Sequence, residues 1–329
     1  MRNPLIINGG VNSGCGMVSN PSSGFDGEKS MSSIPQPKVN PRADNVSGKK
    51  SLSYRGEPQT VPTVRSVEFI RRMRGASQPH LLRGHDGGYY IVKFQNNPQH
   101  VRILTNEMLA ARLALLIGLP VPKPAIVEVT PELIEGNPQL AMELGTRREP
   151  CAAGLQFGSS FPGVPGKTLV VDFLPDSLLR RVRDFASTFP GAFVFDKWTC
   201  NCNGRQLIFT RPAGPERSIY SAWLIDHGFC FNDGEWNFPD SPIRSLYPRR
   251  LVYEEVKGLN SFEPYLSAVE NLKAEEVLNC VKDIPAEWCG GDPAQLIGLA
   301  TQLYERRRLV RQAIIDAKNS GLRPFANWK

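Results

Sequence analysis

Two short β runs bracket a polar knot between Phe193 and Phe231, and no other stretch of the sequence narrows the fold as much. An apolar approach, Phe193-Val-Phe, leads into Asp196, Asn201, Asn203, Gly204, Arg205 and Gln206. The run Leu207–Thr210 follows, then a turn region over Pro212–Glu216, then Tyr220–Ile225, which closes on Asp226-His227-Gly228. Apolar runs of that length bounded by turn residues read as strands. A strand ending on Asp-x-Gly sets one carboxylate at a sheet edge, with the amides of the knot upstream of it. Mg²⁺ takes hard oxygen ligands and keeps several waters, so one carboxylate with one amide suffices to hold it beside phosphates.

Upstream, order is expected from Val64. Residues 1–64 are rich in Asn, Ser, Gly and Pro without a sustained period, and such a segment buries too little to offset its chain entropy. Arg65–Met73 suits a first strand or a short helix. Leu81–Phe94 then reads as a hairpin turning on Asp86-Gly87-Gly88. On its second strand Tyr90, Val92 and Phe94 share one face, and Tyr89, Ile91 and Lys93 the other. Lys93 is a lone charge in an apolar strand. It suits either an edge strand guarded against aggregation or a lysine that binds phosphate. The helical period over Val101–Ile117, stopped by Gly118 and Pro120, favours the second reading, because Glu107 near its middle can orient Lys93 through an ion pair.

Val121–Val129 reads as a further strand, and Phe157–Gly163 as a small-residue loop whose amides could face an anion. Asp184–Val194, Glu254–Phe262 and Ser267–Lys282 read as helices. A last long helix opens on Asp292-Pro293 and runs to about Asn319, burying Leu296, Leu299, Leu303, Val310 and Ile314. The net charge is +7, but the basic residues fall in scattered pairs and triplets with no aromatic-interleaved stripe, which argues against a nucleic-acid partner. Seven cysteines spread over 329 residues do not make a disulfide framework, and no run is long and apolar enough for a membrane helix. A cytoplasmic protein is the expectation.

The order of lysine strand, glutamate helix, Asp/Asn loop and Asp-x-Gly strand resembles the HipA-like kinases, whose stand-alone kinase domain is akin to phosphoinositide-kinase and CotH-type folds. The residues that carry the likeness are Tyr90-Ile-Val-Lys93-Phe, Asn106-Glu107 with its helix to Leu113, Gly118–Pro122, Phe195–Gln206 and Ile225–Phe231. The resemblance implies an α+β, two-lobed protein-kinase-like fold, with a small β-rich N-lobe carrying one helix (65–150) and a larger helical C-lobe (151–329). It implies ATP and Mg²⁺ as cofactors and a Ser/Thr hydroxyl of an unidentified protein as substrate; family members are bacterial. Lys93, Glu107, Gly87 and Gly88 become the nucleotide-binding candidates, and Asp226, Asn201 and Gln206 the metal-binding ones. Asp196, Asn203 and Arg205 are the catalytic candidates.

One departure matters. Where such loops carry a catalytic Asp, this chain has Asn203, an amide that accepts no proton. Asp196, spaced from Asn201 as in the kinase D-x-x-x-x-N loop, is one substitute. A merely orienting Asn203 is another, and a nucleotide-binding pseudokinase is the third outcome. From a different class, Cys200, Cys202, His227 and Cys230 are a zinc-capable set that would make a structural module.

Overall fold

Burial alternates along Thr63–Ser66 and Tyr89–Val92, as in a sheet that covers one apolar face. The computed structural model describes residues 60–212 and 219–329. The expected tail over 1–64 therefore lies almost wholly outside the described residues, as does most of the turn Pro212–Glu216. In chain order come β1 (Thr63–Arg72), β2 (His80–Gly84), β3 (Tyr89–Lys93), α1 (Ile103–Leu116), β4 (Pro124–Val129), α2 (Pro131–Glu135), β5 (Ala141–Leu144), β6 (Arg147–Pro150) and β7 (Gly154–Ser160). Then follow β8 (Thr168–Val171), α3 (Asp176–Leu179), α4 (Phe185–Thr199), β9 (Gln206–Pro212), β10 (Ser221–Ile225), α5 (Tyr265–Glu270), α6 (Ala274–Asn279), α7 (Pro293–Arg306) and α8 (Val310–Asn319).

The first sheet closes in the order β1-β2-β3-β7-β4, with β4 returning parallel to β1 and every other pairing antiparallel. Val64, Leu82, Tyr90, Val92, Phe94 and Val127 form one apolar cluster within it. The strand expected to end in a small-residue loop is itself β7. Phe157-Gly158-Ser159-Ser160 pairs with β3 on one side and β4 on the other, so its amides belong to the ladder. Gly158 is there because of close approach: a Cβ would lie 2.4 Å from Val127 Cγ2. The strand also carries the sheet past residue 150, where the N-lobe was expected to end.

The C-terminal part is helical around a small sheet, β10-β9-β8. Its core gathers Phe189, Phe193, Phe195 and Trp198 of α4 with Leu207 and Phe209 of β9, Leu224 of β10, and Leu299, Leu303 and Ile314 of the last helices. Trp198 is fully buried and donates its indole N–H to Leu303 O at 2.8 Å. The last helix is broken once, by a 3-10 turn at Arg307–Leu309, and Asp292 caps it as expected, accepting from Ala294 N. Where one helix was expected over Glu254–Phe262, a single 3-10 turn at Leu259–Phe262 forms instead.

Helix α1 joins the two parts. Ile103, Leu104 and Met108 pack with Ile126 and Phe157 of the first sheet, while Leu109, Leu113 and Ala114 belong to the large core. A helix covered on both sides keeps no solvated face, so the polar residues it carries inside need partners. No helix among the described residues is long and apolar enough to cross a membrane.

Candidate functional site

The polar residues on α1 find their partners on the loop after β10. Lys93, at the end of β3, contacts the carboxylate of Glu107 and, at 2.6 Å, Asp226 Oδ1. Lys93 is 6% exposed and Glu107 2%. Burial disfavours the ammonium, but the two carboxylates outweigh it and raise the Lys93 pKa. Asp226 is desolvated too, yet Lys93 and Arg205 hold its carboxyl below the ordinary range. Three ionised groups so arranged carry one net negative charge in a water-poor site, which suits an added cation.

Glu107 also accepts the backbone N–H of Gly228 at 2.9 Å. That contact explains the glycine of Asp-His-Gly. A Cβ on Gly228 would sit 2.7 Å from Ile103 Cγ1 and 3.3 Å from Glu107 Oε1, so any larger residue would push the loop off α1. Asp226 itself turns through a left-handed backbone conformation (φ 58°), which a short polar side chain tolerates best among non-glycine residues. Its second oxygen accepts Gln206 Nε2 at 2.7 Å across the β9–β10 pair.

The loop between α4 and β9 carries the remaining candidates. Helix α4 runs five residues past the expected Val194, to Thr199, and so takes in Asp196, which is 1% exposed. Asp196 is bound by Arg205 through Nη2 and, at 3.0 Å, Nε, and it accepts Asn201 Nδ2 at 3.1 Å. No carboxylate oxygen is left facing outward. Asn201 accepts Asn203 N on its oxygen at 3.1 Å, so both ends of its amide are engaged within the loop. Asn203 is exposed. Arg205 reaches past Asp196 to Ile225 O and His227 Nδ1, tying the loop to the Asp-His-Gly strand. A guanidinium only donates, so His227 Nδ1 must be an unprotonated acceptor. Burial and the neighbouring Arg205 keep the His227 pKa well below its usual value.

The zinc alternative fails on geometry. Among the described residues no group of three or more His, Cys, Asp or Glu is placed to hold a metal ion. Cys200 faces Pro239 O and Arg244, Cys230 faces Thr199, and His227 faces Arg205. Asp226 and Gln206 set a carboxylate and an amide on adjacent strand ends, oxygen donors of the kind that a hard divalent cation takes.

The glycine turn is also relocated. Gly87 and Gly88 open β3, roughly 16 Å of extended strand from Lys93 at its other end. The turn beside Lys93 is the one between β1 and β2, since His80 pairs with Val92. It reads Gly75-Ala76-Ser77-Gln78-Pro79, exposed at Gly75 and Ala76 and left-handed at Gly75 (φ 133°) and Gln78 (φ 47°). Buried Gln78 braces it, accepting from Arg72 Nη2 and Glu143 N and donating to Glu143 O, each at 2.7 Å. The sequence signal was a small-residue Gly-Ala-Ser run before a proline, masked by the stronger hairpin signal at Asp86-Gly87.

Against known proteins, a family model for HipA-like kinases matches residues 66–207. The structure is similar to a Helicobacter pylori proinflammatory kinase, CtkA, with TM-score 0.50 and 13% identity over 79% of this chain and 100% of that one. It also matches the Golgi casein kinase at TM-score 0.44 and 12% identity, over 80% of this chain and 75% of that one. The Golgi casein kinase with Mn/ADP bound matches at TM-score 0.43 and 10% identity, with the same coverage. No curated protein matches the chain with significant similarity. The architecture is thus protein-kinase-like, a β-rich N-terminal part and a helical C-terminal part. Over residues 66–207, which supply Lys93, Glu107 and the Asp/Asn loop, the chain is similar to the HipA-like kinases.

Proposed function

We propose that this protein binds ATP with Mg²⁺ and transfers the γ-phosphoryl group to a Ser or Thr hydroxyl of a protein. One observation carries the reading: Lys93 touches Glu107 and Asp226 together, so a lysine from the first sheet and a carboxylate from the last strand face one site. Glu107 holds the Lys93 ammonium where phosphate oxygens would take the place of one carboxylate contact. Asp226 and Gln206 are the residues that would hold the cation, and the Gly75–Gln78 turn offers backbone amides beside it. Bound there, Mg²⁺ would neutralise charge on the phosphate oxygens.

Asn203 orients the acceptor hydroxyl by a hydrogen bond and takes no proton. Asp196 keeps Arg205 and the loop in place, its two oxygens already engaged. Phosphoryl transfer through a loose transition state depends mainly on positioning and charge, so an amide in this place slows the reaction without ending it. A cytoplasmic setting, where ATP is available, goes with this reading. The exposed amide at Asn203 also favours a second reading, in which nucleotide binds and no transfer follows.

Thermal shift with ATP and Mg²⁺, followed by labelled-phosphate transfer, separates them. Saturating nucleotide at about 100 times its Kd should add about 2.7 kcal/mol and raise Tm by several degrees. Asn203→Asp should raise the transfer rate at least about tenfold, the scale of a positioned general base. Binding without transfer by the wild type, with transfer by Asn203→Asp, leaves the second reading. No stabilisation by ATP with Mg²⁺ sinks both.

A further inference from the structure

One buried amide connects α1 to the loop that carries Asp226. Asn106 is fully buried, next in sequence to Glu107. Its Nδ2 lies 2.8 Å from Gly228 O, 3.0 Å from Cys230 O and 2.7 Å from Asp233 O, and its Oδ1 accepts the indole N–H of Trp236 at 2.8 Å. Three carbonyls on one end and an N–H on the other fix which way the amide points. A single side chain thus holds both ends of the segment from Gly228 to Trp236.

The contact is reinforced from the same side. Ile103, Asn106 and Glu107 share one helical face, at spacings of three and four. Glu107 takes Gly228 N while Asn106 takes Gly228 O, so the peptide groups on either side of this glycine's Cα are gripped by adjacent side chains. Arg102 donates to Gly234 O at 2.7 Å and lies over the Trp236 ring. His100 Nε2 stands 3.0 Å from Gly228 O and 2.9 Å from Asp233 Oδ1.

The structure assigns Asn106 a positioning role: with Trp236 it latches the segment after β10 to α1, and so keeps Asp226 beside Lys93, where the nucleotide's divalent cation would bind. The latch is a property of the fold, whereas its consequence for cation binding rests on the proposed function. Without it Gly228 keeps the Glu107 contact on its N–H and His100 at its carbonyl, while the carbonyls of Cys230 and Asp233 lose their buried amide donor. Asp226, two residues before Gly228, then keeps only its side-chain contacts to Lys93 and Gln206, on a backbone no longer anchored to α1 through Asn106. Lys93 and Glu107 stay paired, since neither depends on Asn106.

Asn106→Ala and the milder Trp236→Phe, made in the full chain, test this. Amide hydrogen exchange without ligand should quicken at residues 226–236 in both variants and stay unchanged in α7 and α8. ATP affinity measured with EDTA should match wild type, whereas the gain in affinity on adding Mg²⁺ should fall at least about tenfold in Asn106→Ala and two- to threefold in Trp236→Phe. A residue that only stabilised the fold would lower Tm and leave the Mg²⁺-dependent gain as it was, and that result overturns the assignment. Unchanged exchange at 226–236 overturns the latch itself. Should Asn106→Ala fail to fold, Trp236→Phe carries both readouts. A wild type with no Mg²⁺-dependent gain, but with exchange that still quickens in the variants, overturns the functional reading and the positioning role while the latch stands.

Discussion

Lys93 meets two carboxylates almost out of contact with water, so the effect of removing it follows from charge more than from packing. Lys93→Met keeps the volume of the side chain and leaves Glu107 and Asp226 facing each other without a cation. Breaking a buried ion pair from one side costs about 3–5 kcal/mol. Because the remaining defect is one negative charge too many, it should shrink when a proton or a divalent cation is supplied. Urea melts of Lys93→Met should therefore show a large loss of stability at pH 7 that narrows at pH 5 or with millimolar Mg²⁺. An equal loss under all three conditions would mean that packing, not charge, is what Lys93 supplies. At this scale the sequence was informative wherever a charge interrupted an apolar run: Lys93 on β3, Glu107 on an all-buried helix and Asp226 at a strand end could all be found that way. Asp196 misled, because nothing in Lys197-Trp198-Thr199 announces whether a helix has ended. The stop is Cys200 in a left-handed conformation (φ 50°), a position usually taken by glycine. Gln78, which braces a turn with its side chain, gives no local signal at all.

Between elements, the segment after β10 is held from two directions, by Asn106 on α1 and by Lys197 on α4. Lys197 is 5% exposed and donates to three backbone carbonyls, Ser241 O at 2.7 Å, Pro242 O at 3.0 Å and Arg244 O at 2.9 Å. Arg306 on α7 adds contacts to Asp240, with Nη1–Oδ2 at 2.9 Å. Lys197→Met removes the donor and leaves three carbonyls facing an apolar chain, at an expected cost of about 2–4 kcal/mol. The segment 238–245 should become the first site of cleavage in limited proteolysis. Cleavage first in another loop, with 238–245 as resistant as in the wild type, would show that Arg306 and the exposed chain suffice to hold it. Sequence periodicity placed α1, α4 and the last helices because each buries a stripe or more of apolar residues. It failed over Glu254–Phe262, where Gly258 and Pro264 confine the chain to one 3-10 turn, Leu259–Phe262. It also failed at β7, where Gly158, which suggests a loop, is needed because the Val127 side chain of β4 leaves no room for a Cβ.

Over the whole molecule, acid should unfold this protein before its carboxylates titrate, because of a histidine in the first sheet. His80 is fully buried, with ring centroids 5.9 Å from Phe69 and 5.4 Å from Phe94. Burial, with a smaller contribution from Arg72, pushes its pKa down to about 4 from an ordinary 6.5. A depressed folded-state pKa means that the unfolded chain binds the proton more readily. Stability is then complete above about pH 6.5 and is lost as pH falls toward 4. At 1.36 kcal/mol for each pKa unit, the loss is on the order of 3 kcal/mol. That is a large share of the 5–15 kcal/mol typical of a folded domain. Asp226, whose folded pKa is also depressed, adds its loss only below the unfolded carboxylate value near 3.9. Buried His227, whose pKa is also held well below its usual value, costs stability over the same range, so His80 is read from the difference between wild type and a His80 variant. His80→Gln should be less stable than wild type at pH 7.5, through imperfect packing between the two rings, yet lose less stability than wild type from pH 7 to 4.5. Wild-type Tm should fall by several degrees over the same interval. Parallel curves for the two proteins would move the acid sensitivity away from His80, and with it the claim that the first sheet is where acid unfolding begins.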